Sequence, residues 1–230
     1  MTRWLAVSIL LTAGAFAASA YVYFFQYDSL PGQIAVHWNI KGEPDRIVPK
    51  SEAWMNFWLV PFVMILVIVL SVVLPWISPK QFEIERFRPT WEYVIALVVG
   101  LFAFIQVALL VGSGGQKLPL GRFFIGAMML FFALLGNVLG RVKRNFWMGV
   151  RTPWTLASEA VWNQTHRVAG WLWVAGGLIG CVGVLALPLV VPVSESTVLI
   201  GAFVWLMIIA LYPVVYSLVL YKRLERQGKF

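Results

Sequence analysis

The sequence predicts an all-α membrane protein, a bundle of six transmembrane helices, and three observations lead there. Apolar residues make up 60% of the 230-residue chain and charged residues only 12%, against roughly a quarter charged in soluble domains. The charges gather between six apolar runs, uncharged but for Glu92 at the start of the third, each about the 20 residues needed to cross roughly 30 Å of hydrocarbon at about 1.5 Å per residue. None of these runs alternates polar with apolar residues, so their backbone groups must be satisfied within helices rather than in a β-barrel.

The first run extends from Trp4 to Phe25. Met1-Thr2-Arg3, the apolar core and Ala18-Ser19-Ala20 also resemble a cleavable signal peptide. Hydrophobicity continues past that point through Tyr21-Val22-Tyr23-Phe24-Phe25, so the segment reads as a retained helix. The Gln26 to Ala53 loop follows, long enough for a small ordered element. Ile34, Val36, Trp38 and Ile40 alternate as in a strand, and Lys41-Gly42-Glu43-Pro44-Asp45 carries turn chemistry, which predicts a short extended hairpin on the membrane surface. There His37 and Asp45 either pin the turn by hydrogen bonding or face a ligand, and a histidine can also change charge near neutral pH.

The second run, Trp54 to Ile77, ends at a charged connection, Ser78 to Thr90, whose Pro79 and Pro89 mark a boundary. The expected organisation is therefore a first helical hairpin with its outer loop over 1–90, a four-helix region over 91–221 and a basic tail over 222–230. The third and fourth runs are Trp91 to Val111 and Phe123 to Leu139, and Gly136 and Gly140 form a small-xxx-small pair suited to close helix approach. Gln106 and Asn137 are the notable polar candidates inside the spans, expected to bond between helices. The fifth and sixth runs are Val168 to Val191 and Val198 to Tyr221. Pro61, Pro188 and Pro213 lie within or near span ends, where kinks are tolerated once neighbours satisfy the freed carbonyls.

Between the fourth and fifth runs, residues 141–170 form a basic, tryptophan-rich island. Thr152 before Pro153 reads as an N-cap with proline at the first helical position. Trp154, Ala157, Val161, Gln164 and Val168 recur at helical spacing, predicting an inner helix lying at the interface before the fifth span begins. Arg144 and Arg151, beside Trp147 and Trp154, are placed to meet lipid phosphate or to stack on an indole. Anchoring alone accounts for basic and aromatic residues here. Two arginines, a capped helix and Asn145 go beyond it and point to a docking surface.

Orientation follows from the basic residues. With both termini inside, Arg3, Lys80, Arg86, Arg88, Arg141, Lys143, Arg144, Arg151, Arg167, Lys222, Arg223, Arg226 and Lys229 are internal, thirteen of the eighteen Lys and Arg. Lys41, Arg46, Lys50, Lys117 and Arg122 are external. The positive-inside bias therefore places the island in the cytoplasm. Trp4, Trp54, Trp76, Trp91 and Trp171 stand at span edges as interfacial anchors.

Composition and motif content weigh against several classes. The net charge of +8 is spread over short loops, which weighs against direct nucleic-acid binding. Cys181 is the only cysteine, so neither a disulfide nor a thiolate metal site forms within the chain. No metal or other cofactor is expected. His37 and His166 are predicted on opposite sides of the bilayer and cannot share a metal or a triad, so no catalytic residue is assigned. The span cores hold no ionisable residue, whereas transporters commonly do, which leaves a small-molecule or peptide transporter as the alternative reading.

Gly136-Asn137, Gly149 through Leu156, Trp162 and Thr165-His166-Arg167 resemble the SdpI family of bacterial membrane immunity proteins. Leu30-Pro31, Ile34, His37-Trp38-Asn39, Gly42, Pro44-Asp45 and Lys50 resemble the domain of unknown function that commonly precedes it. The resemblance implies a multi-pass protein of the bacterial inner membrane that protects its cell from a secreted peptide toxin, possible capture of a cytoplasmic transcriptional repressor included. Its implied inner docking residues are Arg144, Asn145, Gly149, Arg151, Thr152, Pro153, Trp154, Thr155, Trp162, Thr165, His166 and Arg167. The implied outer ligand contacts are Pro31, His37, Trp38, Asn39, Gly42, Pro44, Asp45 and Lys50.

Overall fold

The computed structural model describes residues 2–39, 43–115 and 119–228. Six of its helices are long and apolar enough to cross a membrane: α1 (Arg3–Phe25), α2 (Trp54–Ile77), α3 (Arg88–Ser113), α4 (Leu120–Leu139), α6 (Glu159–Val190) and α7 (Glu195–Arg226). A five-residue α5 (Pro153–Ala157) precedes α6. Between α1 and α2 lies an antiparallel ribbon, β1 (Gln33–Trp38) paired with β2 (Pro44–Pro49). The chain is thus a multi-pass membrane protein, with the ribbon at one end of the bundle and the 141–158 island and both chain ends at the other.

Because lipid tails are as apolar as leucine, helices in a membrane associate through close packing and hydrogen bonds rather than hydrophobic burial. Accordingly, Leu10, Phe24, Ile65, Ile179, Ile208 and Val215 face outward, while much of the interior is small or polar. The buried face of α1 is Ser8, Thr12, Ala15 and Ser19, spaced four, three and four. Ser19, which belongs to the cleavage-like tripeptide, accepts a 2.9 Å hydrogen bond from Nε2 of Gln106 on α3. The same amide nitrogen reaches the carbonyls of Asn56 at 3.0 Å and Phe57 at 3.2 Å on α2. Gln106 therefore ties three helices together, as its position inside a span predicts.

The second group, α4, α6 and α7, packs by backbone approach. A Cβ on Gly136 would lie 2.8 Å from the Gly170 carbonyl oxygen, and one on Gly177 would lie 2.8 Å from the Ala133 nitrogen. The predicted Gly136/Gly140 pair is half right. Gly140 meets open space, and the small stripe on α4 is Ala133 with Gly136. Indole N–H groups then clip the helices: Trp173 donates to Ile209 O and Trp205 to Gly176 O, each at 2.8 Å. Prolines 61, 75, 188 and 213 lie within helices.

Three further expectations need correction. The inner helix predicted from Trp154 to Val168 breaks at Ser158, whose hydroxyl caps a new helix at Val161 N–H, so residues 159–168 already belong to α6. Only α5 remains as the separate inner helix. Trp91 is no interfacial anchor: it is 3% exposed and donates from Nε1 to Ser71 O at 3.0 Å. Asn137 bonds to no other helix among the described residues but stands exposed. Trp54, Trp76 and Trp171, by contrast, are well exposed, as interfacial rings should be.

Candidate functional site

The ribbon is seated by its apolar side. Ile34 is 1% exposed and packs with Ala53, Phe57 and Leu110, while Asn56 Nδ2 donates to the Ala35 carbonyl at 3.2 Å. Trp38 lies across Gly112, where a Cβ would be 2.8 Å from Cζ2 of the indole, so glycine makes room for the ring. The exposed side carries the predicted pin: Nδ1 of His37 is 2.6 Å from Oδ1 of Asp45. Two residues beyond His37, just past the end of β1, the Asn39 side chain donates to that of Glu43 at 3.2 Å.

Beneath this tip, between α3, α4 and α7, is a cavity of about 480 Å³. Val36, His37, Trp38 and Asn39 line it from the ribbon; Ile105, Ala108 and Leu109 from α3; Leu120, Gly121, Phe124 and Ile125 from α4; Leu199 and Phe203 from α7. Its size falls within the range of pockets that enclose small organic ligands or several side chains. Phe124 and Phe203 in its lining are exposed, so the cavity reaches the lipid-facing surface beside α4 and α7. Arg122 and Glu195 form a 2.9 Å ion pair that ties the α4 and α7 starts together beside it.

Of the predicted outer contacts, His37, Trp38 and Asn39 therefore meet at one cavity. Lys50 does not join them: its Nζ donates to Tyr27 O at 2.9 Å and lies over the Tyr27 ring, fastening the base of the loop. Pro31, Pro44 and Asp45 are exposed on the ribbon or its approach, and Gly42 lies outside the described residues. The apolar members from α3, α4 and α7 escape sequence reading because an apolar residue in an apolar span carries no distinguishing signal.

At the other end the island is built inside out. Asn145 uses both ends of its amide: Oδ1 accepts from Trp147 N–H at 2.7 Å and Met148 N–H at 2.9 Å, and Nδ2 donates to Lys143 O at 2.7 Å and Met148 O at 3.2 Å. Thr152 and Thr155 cap α5 reciprocally, and the Thr155 hydroxyl donates to Val150 O at 2.8 Å. The Thr152 hydroxyl also reaches Ser217 on α7 at 3.0 Å.

His166, 1% exposed, stacks on Trp162 with ring centroids 4.0 Å apart. Its Nδ1 donates to Trp162 O at 2.8 Å, and Nε2 accepts from Val150 N–H at 3.0 Å. An Nε2 that accepts carries no proton, so the ring is the neutral Nδ1–H tautomer. Trp162 donates to Val142 O at 2.8 Å. Gly149 passes directly over His166 with φ of +109°, and a Cβ there would collide with Nε2.

Six of the twelve predicted docking residues are therefore interior: Asn145, Thr152, Thr155, Trp162, Thr165 and His166. Asn145, Thr152, Thr155, Trp162 and His166 satisfy backbone groups that an irregular loop would otherwise leave unpaired, whereas the Thr165 hydroxyl has no partner among the described residues. Gly149 is half-buried and fixed by its φ. Arg151 and Pro153 face solvent, and Arg144 and Trp154 are half-exposed. Neither arginine stacks on an indole. Arg144 donates to Leu156 O at 3.1 Å and lies over the Phe82 ring, and Arg151 donates to Phe146 O. Arg167 stands apart, in a groove between α4 and α6. The island is sealed by residues the sequence did not single out: Ser78 accepts from the Trp147 indole at 3.1 Å, and Phe82 packs on Phe146.

Among the described residues no group of three or more His, Cys, Asp and Glu is arranged to hold a metal. His37 and His166 lie at opposite ends of the bundle.

Residues 141–217 match the SdpI/YfhL protein family, and residues 10–65 match the domain of unknown function DUF1648. The chain is 27% identical over 173 residues to the immunity protein SdpI of Bacillus subtilis (strain 168), covering 75% of this chain and 77% of that relative. No solved structure matches. The island, α6 and most of α7 are thus similar to the SdpI/YfhL protein family, and the region that bears the ribbon to DUF1648, in a multi-pass bacterial membrane protein.

Proposed function

We propose that the protein confers immunity to a secreted, membrane-active peptide by binding it, and that it performs no chemistry of its own. The similarity to an immunity protein supports the broad reading. The observation that carries the finer one is the cavity under the ribbon. It is apolar in its depth, lined at the tip by His37, Trp38 and Asn39, and open to lipid past Phe124 and Phe203. A peptide already partitioned into the bilayer would present apolar side chains to that opening and polar groups to the ribbon.

In this reading the end bearing the island and both termini faces the cytoplasm. In the same reading α3 would carry the signal. Ile105, Ala108 and Leu109 line the cavity, while Trp91 near its start and Phe87 just before it share a core cluster with Val142, Val150 and Trp162 of the island. Occupancy that prefers one arrangement of α3 against α4 would bias how Arg151, Pro153 and Trp154 are presented to a cytoplasmic repressor.

The test is survival of a peptide-sensitive strain lacking its own immunity protein. Wild-type protein should protect. Ala108→Phe, which fills the cavity, should abolish protection at normal membrane abundance. Arg151→Glu with Trp154→Ala should leave protection by sequestration intact and abolish repressor capture. Full protection by the cavity-filled variant would overturn the binding site.

A further inference from the structure

A second site lies at the island end of the bundle, on the lipid-facing side. Between α4 and α6 is a groove of about 230 Å³. Its floor is backbone, because Gly136 and Gly170 let the helices touch without side chains between them. Around it stand Asn137 and Gly140 from α4 and Arg167 and Trp171 from α6. Arg167 and Trp171 are four residues apart and share a helix face. Trp171 is 76% exposed. Among the described residues, neither the Arg167 guanidinium, the Asn137 amide nor the Trp171 indole has a hydrogen-bond or ion-pair partner.

Arg88, Arg122 and Lys222 pair with carboxylates, and Arg144 and Arg151 cap carbonyls. Arg167 instead holds a full charge with no counterion on a helix long enough to cross the membrane, and the exposed Arg141 follows directly after Gly140. It lies eight residues into α6, about 12 Å along the axis. An unpaired cation at the edge of the predicted fifth span attracts an anion, and the anion available beside a lipid-facing groove is a phosphate. A guanidinium fork suits a phosphodiester, an amide can donate to a headgroup or ester oxygen, and an exposed indole sits naturally at the glycerol level.

We propose that this groove binds one anionic phospholipid, its phosphate on Arg167, its polar linkage on Asn137 and its upper chain against Trp171. The site is independent of the peptide cavity.

The experiment uses full-length protein in detergent, titrated with phosphatidylglycerol or phosphatidylcholine and read by native mass spectrometry for bound lipid. One phosphatidylglycerol should be retained selectively. Arg167→Gln should weaken it about fivefold, Arg167→Lys should lose less, and Arg223→Gln, on the exposed end of α7, should change nothing. The lipid-free melting temperature of Arg167→Gln should match wild type, since its side chain holds no internal partner. Asn137→Ala gives a second reading should that melting temperature fall. Equal retention of the two lipids, unchanged retention in both Arg167→Gln and Asn137→Ala, or displacement of the lipid by millimolar inorganic phosphate would each overturn the assignment.

Discussion

The two ends of the bundle use polar residues in opposite directions. At the island, Asn145, Thr152, Thr155 and His166 point inward and hold backbone groups. At the ribbon, His37 pairs with Asp45 and Asn39 with Glu43 on the exposed side, while the buried side is apolar. One end is therefore a fixed knot, the other a lid resting on a cavity. A polar cluster in an apolar sequence marks where the chain leaves the membrane, but not which way its side chains face.

Substitutions can break or sharpen this contrast. The largest expected effect is Gly149→Ala: a side chain at φ of +109° that also strikes His166 should cost about 3 kcal/mol, combining backbone strain and overpacking. The check is the unfolding midpoint in detergent, together with loss from the membrane fraction. Next comes His166→Phe, which keeps a ring against Trp162 but leaves Val150 N–H unpaired, for a loss of about 1–3 kcal/mol. Equal stability of this variant would show that the island is not the rigid end.

Gln106→Leu should cost about 1 kcal/mol, in line with interhelical hydrogen bonds in membranes, and should loosen α1 from α2 and α3. Cysteine cross-linking between α1 and α3 would register it. The smallest stability change belongs to His37→Ala, about 0–1 kcal/mol for an exposed pair. Its effect should appear in protection against peptide instead. A loss of stability there comparable to that of His166→Phe would erase the difference between the ends.

Span number, the ribbon and the α5 cap were legible because each rests on local physics: apolar length, period-two alternation and a Thr-Pro start. The Ser158 break was not, since Ser158 and Glu159 interrupt no apolar pattern and the cap is visible only once Val161 N–H is seen turning toward it. Of the island, chemistry was readable but facing was not. His166 looks like a surface residue from its polar neighbours, and it is interior because Gly149, far off in helical register, folds back over it. The cavity was half legible: His37, Trp38 and Asn39 stand out, whereas Ile105 and Phe203 resemble every other residue of their spans.

The proline at each end of β2 has a consequence beyond the ribbon itself. Pro44 and Pro49 supply no N–H, and alternate groups of the four residues between them leave about two donors along the open edge. Neighbouring copies crowded in a bilayer thus find little to zip onto along β2, which discourages the ribbon from seeding a sheet shared between molecules through that edge.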